Sequence, residues 1–209
     1  MATTERIAGG QTPSQTVGPF FHYALPWPGG ADLVGRSAIG ARLDLVPEGH
    51  RLLTAVERDA AEGEVIEIRG RLLDGAGDPV PDALIEIWQA DRRGEYVNTR
   101  DKGFVGFGRA ATDEQGGFLF RTIRPGRAPG PGNSLQAAHI AVGLLGRGLL
   151  KRLVTRVYFA DGEGLDEDPI LRLVAAERRE TLLARRQAPG VYGFDIRLQG
   201  PDETVFFQL

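Results

Sequence analysis

Strict alternation of apolar and charged residues begins at Glu64. In VIEIRGRLL, Ile66, Ile68 and Leu72 alternate with Glu67, Arg69 and Arg71, the period of a strand with one buried face. ALIEIWQ, Ala83 to Gln89, is more continuously apolar and predicts a more buried strand, with Trp88 as its large packing residue. Strands are also predicted over Phe118–Ile123, His139–Leu145 and Lys151–Phe159. Val191–Gln199 places Tyr192, Phe194, Ile196 and Leu198 on one face, and Thr204–Leu209 reads as a short aromatic strand. Between them lie turns rich in Gly, Pro and Asp: Asp74–Pro81, Thr112–Gly117 and the acidic Asp161–Pro169, expected to be a solvated loop. Helical spacing occurs only in Asp168–Arg186, through Ile170, Leu171, Val174, Leu182 and Leu183. Short strands separated by turns predict a mainly β fold, a β-sandwich core with one or two short helices.

Residues 1–62 have a different character. Pro13, Pro19, Pro26 and Pro28 forbid a continuous helix or central strand there. Phe20, Phe21, Tyr23 and Trp27 are too many aromatics for a solvated tail. The segment reads as an extended N-terminal arm packed either on its own domain or on a partner, and the residues alone leave both open. The whole chain, 1–209, is expected to be a single domain, with the arm and an irregular segment over 1–62 and the sandwich over 63–209.

Composition narrows the function classes. Twenty-five basic and 28 acidic side chains give a net charge of −3, which carries no nucleic-acid footprint. There is no cysteine, so disulfides, thiolate metal sites and Cys nucleophiles are excluded. The chain shows no apolar run of membrane-span length, and MATTERIAGGQ lacks the apolar core of a signal peptide. A cytoplasmic protein with neither nucleic-acid nor membrane partners is the expectation.

The stretch Phe118–Gly143 is built as sites are built, a Gly/Pro-rich loop held between two strands. It carries little chemistry of its own. Only three histidines exist, His22, His50 and His139, far apart in sequence. No G-x-S-x-G elbow, His-Glu-x-x-His pair or phosphate loop is present, and the acidic turn fits no EF-hand spacing. On a strand, His139, Ala141 and Gly143 share one face. A histidine at 141 would have completed an i, i+2 imidazole pair; with Ala141 there, a lone His139 reads as a hydrogen-bonded packing residue.

In order along the chain, TPSQTVGPF, ALIEIWQAD, GEY, GFGRAATDEQGGFLFRTIRPG, AAHI, RVYF, RRETLLARR and FDIRLQGPDETVFF resemble the intradiol ring-cleaving dioxygenases over nearly the whole length. The resemblance implies a β-sandwich and a heteromer of related α and β chains, with this chain similar to the α type. It implies the conversion of protocatechuate and O2 to 3-carboxy-cis,cis-muconate in the β-ketoadipate pathway. In that family the β chain holds a non-haem Fe(III) through two Tyr phenolates and two His imidazoles, hard anionic phenolates suiting ferric iron. Carried over by position, the first Tyr falls on Tyr96 and the second on Ala128; the two His fall on His139 and Ala141. An Arg near the bound substrate falls on Gln136. Two of four ligands are thus missing, so the chain is expected to bind no catalytic iron and to be inactive alone, with Fe(III) held by the partner β subunit. In the family the α arm helps line the partner's pocket, and the corresponding residues are Thr16, Pro19 and Phe20, the last usually a Tyr. A transthyretin-like binding module would suit the segment Ile66–Phe120 but lacks the arm and the C-terminal motif, and a self-sufficient metalloenzyme or hydrolase using Tyr96 and His139 is opposed by the scarcity of histidine.

Overall fold

Hydrogen bonding along Val65–Leu73 (β1) follows the alternation of its sequence: Ile66, Ile68 and Leu72 are buried while Val65, Arg69 and Arg71 are exposed. The computed structural model describes residues 15–18, 21, 30–35, 39, 61–96 and 104–208. Eight further strands follow β1: Leu84–Gln89 (β2), Phe107–Ala111 (β3), Gly117–Ile123 (β4), His139–Leu145 (β5), Leu153–Phe159 (β6), Leu183–Ala188 (β7), Val191–Gly193 (β8) and Ile196–Arg197 (β9). Their order is β3-β2-β5-β6-β7-β8-β1-β4, with β9 beside β1.

This ribbon folds into two leaves. Strands β3, β2, β5 and β6 pair antiparallel as one leaf, while β7, β8, β1 and β4 form the other. A short parallel pairing of Tyr158 and Phe159 with Leu183 and Ala184 carries the sheet from leaf to leaf. Their inner faces meet in one apolar core that includes Ile66, Ile68, Ile85, Ile87, Phe118, Phe120, Ile140, Val142 and Val157. Each such side chain contributes on the order of 1.5–3 kcal/mol by leaving water. The architecture is the expected mainly β sandwich with a few short helical turns.

A buried polar bridge adds direction to that core. Gln89 on β2 donates to the carbonyl oxygens of Ala90 and Ile123 and accepts from the Thr122 hydroxyl of β4 at 2.8 Å. All of its side-chain polar groups are satisfied, as burial demands. Gly70 is required for a steric reason, because a Cβ there would be driven into the Phe194 carbonyl oxygen and the Phe118 ring.

Several expectations are corrected. Asp168–Arg186 is not a helix: it contains 3-10 turns at Leu171–Leu173 and Ala176–Leu182, then strand β7. Asp168 captures the amides of Ile170 and Leu171, Val174 is extended, and the backbone of Leu183 and Ala184 serves as the seam between the leaves. Tertiary pairing overrides a helical spacing that never ran for two clean turns. Val191–Gln199 is interrupted, with β8 ending at Gly193 and β9 starting at Ile196, although Tyr192, Phe194 and Ile196 do share the buried face. Thr204–Phe207 joins no strand ladder and is held by Phe207 N–H donating to the Val154 carbonyl and by the Thr155 hydroxyl donating to the Val205 carbonyl. Strand β3 has no counterpart in the sequence pattern, since Gly106 and Gly108 interrupt its apolar signal. Finally, the acidic turn is not simply solvated, because Asp168 is completely buried. No helix among the described residues is long and apolar enough to cross a membrane.

Candidate functional site

Three pieces of irregular backbone converge on the outer face of the β2–β5–β6 leaf. The first follows β2. Asp91 folds the chain back by accepting the amides of Arg93 and Glu95 on its carboxylate, an Asx turn of the kind aspartate favours. Gly94 sits at φ +81, and a Cβ on it would collide with the Arg127 carbonyl, so glycine is what lets this loop lie against the Pro-Gly loop and deliver Tyr96. The second piece is the Gly/Pro loop itself, which closes on its own stem: Gln136 N–H donates to the Ala128 carbonyl at 2.8 Å, Gly130 N–H to Ser134, and Pro129 bridges Leu135. Ala128 is thereby buried at its base. The third is the turn at Asp168.

Asp168 is the organising acid. Its carboxylate accepts from the amides of Ala137, Ile170 and Leu171 at 2.7–2.9 Å and from the Tyr158 hydroxyl at 3.1 Å. The first of these bonds positions the residue from which His139 is oriented. The His139 Nδ1–H donates to the Ala137 carbonyl at 2.8 Å, which places the proton on Nδ1 and leaves Nε2 as an acceptor. The Tyr96 hydroxyl donates to that Nε2 at 3.3 Å. Burial pushes the His139 pKa down, and the positive charge of Arg156 pushes it further. Burial raises the Tyr96 pKa, so near neutral pH the pair is a neutral imidazole and a neutral phenol.

The strand register places four outward side chains in one row: Phe107 of β3, Trp88 of β2, Ala141 of β5 and Arg156 of β6. Trp88 stacks on Tyr96 with ring centroids 5.9 Å apart. Arg156 donates through Nη1 to Gln136 Oε1 at 2.7 Å and to the Tyr158 hydroxyl at 3.3 Å, and the Gln136 amide in turn donates to the Pro129 carbonyl. In the next row down Glu86 is paired to both Arg109 and Arg152.

Tyr96, Gln136, His139 and Ala141 therefore belong to one face, and Ala128 lies beside the Tyr96 loop. Sequence reasoning missed Arg156, Trp88 and Asp168. Arg156 lies opposite Ala141 and two residues before Tyr158 on RVYF, so the strand pairing, and no local motif, reveals it. Asp168 was passed over because an acid in a Gly- and Asp-rich turn is ordinarily solvated.

Of the arm positions, Thr16 is exposed and anchored on its own chain. Its hydroxyl accepts from the Gly148 N–H at 2.7 Å, and Val17 bridges Arg147 in the β5–β6 connection. Pro19 and Phe20 lie outside the described residues, as do His22 and His50. Among the described residues no group of three or more His, Cys, Asp or Glu side chains is arranged to hold a metal ion.

Comparisons with known proteins cover both the fold and this face. The Dioxygenase family model (C-terminal domain) matches residues 43–200. The chain is 42% identical to the protocatechuate 3,4-dioxygenase alpha chain of Burkholderia cepacia over 95% of this chain and 98% of that one. It is also 36% identical to the beta chain from the same organism, over 77% of this chain and 76% of the beta chain. Among solved structures, the dioxygenase domain of a dioxygenase–carbohydrate-binding protein fusion from Streptomyces sp. SirexAA-E superposes with a TM-score of 0.55 at 29% identity, covering 68% of this chain and 84% of that one. With a family match across most of the chain and an alpha-type relative aligned almost end to end, the chain is a member of the intradiol ring-cleaving dioxygenase family.

Proposed function

We propose that this chain is the non-iron-binding α subunit of a heteromeric protocatechuate 3,4-dioxygenase, which cleaves protocatechuate with O2 to 3-carboxy-cis,cis-muconate. The observation that carries the proposal is the state of the four positions where the family places iron ligands. Tyr96 and His139 are bonded to each other, and Ala128 and Ala141 offer only methyl groups. This donor set does not fit a ferric ion. One phenol and one imidazole supply half the ligands, and the Arg156 guanidinium, close enough to depress the His139 pKa, adds positive charge where a trivalent cation would stand. Loss even of groups that merely orient a ligand commonly weakens metal binding about 10–100-fold, and two direct ligands are absent here. Iron and the bond-breaking chemistry then belong to a β-type partner, a reading supported by relatives that include both alpha and beta chains.

The contribution left to this chain is surface. The arm, through Thr16, Pro19 and Phe20, lines the partner's pocket. Thr16 is tied to Gly148 and Val17 bridges Arg147, so this part of the arm is already held, which limits the conformational entropy lost on docking. The test is reconstitution with the β-type chain. The isolated chain is expected to contain no stoichiometric iron and to turn over no protocatechuate, while the co-purified heteromer does both. Thr16→Ala and Pro19→Ala heteromers are expected to show altered KM or kcat for protocatechuate. Stoichiometric iron with a phenolate-to-iron visible band in the isolated chain refutes the first part, and unchanged kinetics in both variants refute the role of the arm.

A further inference from the structure

The outer face of the β2–β5–β6 leaf carries a row of side chains suited to an anion. Ala141 pairs with Trp88 on one side and Arg156 on the other. Adjacent strands are about 4.8 Å apart, so the tryptophan and arginine backbones stand roughly 10 Å from each other, with the Ala141 methyl group in the row between them and the Tyr96 ring stacked on Trp88. Trp88, Ala141 and Arg156 are each partly exposed, and the row is open to solvent. The guanidinium bounding the gap has five N–H donors. Its two hydrogen bonds, to Gln136 Oε1 and the Tyr158 hydroxyl, both leave from Nη1 and go to neutral acceptors. Among the described residues it forms no ion pair. Asp168, which shares the Tyr158 hydroxyl with it, is occupied by four donors. Glu86, in the neighbouring row, is held between Arg109 and Arg152.

A half-buried cation whose Nε and Nη2 make no hydrogen bond among the described residues is a ready carboxylate fork, because the planar guanidinium matches a carboxylate with two parallel bonds. The aromatic wall at Trp88 and Tyr96 selects what the carboxylate is attached to. We propose that the gap over Ala141 is a binding site for a small aromatic carboxylate, its carboxylate on Arg156 and its ring beside Trp88. Gln136 and Tyr158 hold the guanidinium in place as positioning residues. The site would bind without reacting, since neither Tyr96 nor His139 faces an activated oxygen or a nucleophile. It concerns this chain by itself, so its failure leaves the heteromer assignment standing, and the reverse is also true.

The experiment is a titration of the full-length chain with benzoate, which carries no catechol and needs no iron. The Arg156 Nε–H and Trp88 indole N–H resonances are followed by nitrogen-edited NMR, with benzamide as the uncharged isostere. Benzoate is expected to shift both resonances saturably, with benzamide about tenfold weaker or worse, the worth of one charge-assisted hydrogen bond. Arg156→Gln is expected to weaken benzoate by about tenfold or more. Ala141→Leu, which fills the gap without touching the charge and leaves the fold's core untouched, is expected to abolish the shifts while the melting temperature changes little. Equal binding of benzoate and benzamide, undiminished binding in either variant, or no saturable shift at millimolar benzoate overturns the proposal.

Discussion

Replacing Asp168 by alanine is the sharpest perturbation of this site's scaffold. Asp168 is fully buried and accepts four hydrogen bonds, three from backbone amides and one from Tyr158. Removing the carboxylate strands the amides of Ala137, Ile170 and Leu171. A buried donor left unsatisfied costs on the order of 1–3 kcal/mol, so three set a ceiling of about 9 kcal/mol. Water entering the vacated space restores some of the bonds, and the desolvation of the acid itself is no longer incurred. A net loss of about 3–5 kcal/mol is expected, against about 1 kcal/mol for Tyr158→Phe, which removes the longest of the four bonds to Asp168 together with the long bond from Arg156. Urea unfolding measures both, provided the m-value is shared by wild type and variant. A second readout distinguishes the scaffold from general instability. The negative charge of Asp168 favours protonated His139, so its removal should lower the His139 pKa still further, as followed by NMR. A stability loss below about 1 kcal/mol, or a His139 pKa that rises, refutes the assignment of Asp168 as the organising acid.

Two further outcomes follow from the same coordinates. His139 has a folded pKa below its ordinary value, chiefly from burial and then from Arg156, so below about pH 6.5 the unfolded chain binds the proton more readily. Its stabilising contribution is complete above that pH and fades as pH falls towards the folded pKa, with a slope of at most about 1.4 kcal/mol per pH unit. His139→Gln should flatten that part of the stability–pH curve, and an unchanged curve counts against the buried neutral imidazole. Gly70→Ala should destabilise the sandwich by more than about 3 kcal/mol, because its Cβ is forced onto the Phe194 backbone where flexible side chains cannot give way. Chemical denaturation reads this directly, and a loss under about 1 kcal/mol contradicts the close approach of β1 to the β8–β9 break.

Much of this protein is legible in its residues because period-2 alternation and turn chemistry are local. Ile66, Ile68 and Leu72 declare the buried face of β1, Asp74 and Asp113 announce turns in which each carboxylate accepts two amides, and the same local signals mark β2, β4 and β5. That Ala128 and Ala141 offer only methyl groups is equally a matter of sequence, since no fold can turn a methyl group into a ligand. What the chain pattern could not decide depends on which backbone lies next to which. Leu183 and Ala184 become a strand because the gap beside Tyr158 and Phe159 needs a pairing partner, and that gap exists only once both leaves are formed. Asp168 becomes a buried acid because the Ala137 amide and the Tyr158 hydroxyl, from two other segments, join the two amides of its own turn around it. Arg156 gains its meaning from Ala141 across the ladder and Gln136 at the loop's foot, residues 15 and 20 positions away in sequence. Tertiary pairing places this cation beside Ala141, on the same face as Tyr96 and His139. Local rules determined most of the strands, while long-range register, which no window along the chain can contain, determined β7 and the charge of the site.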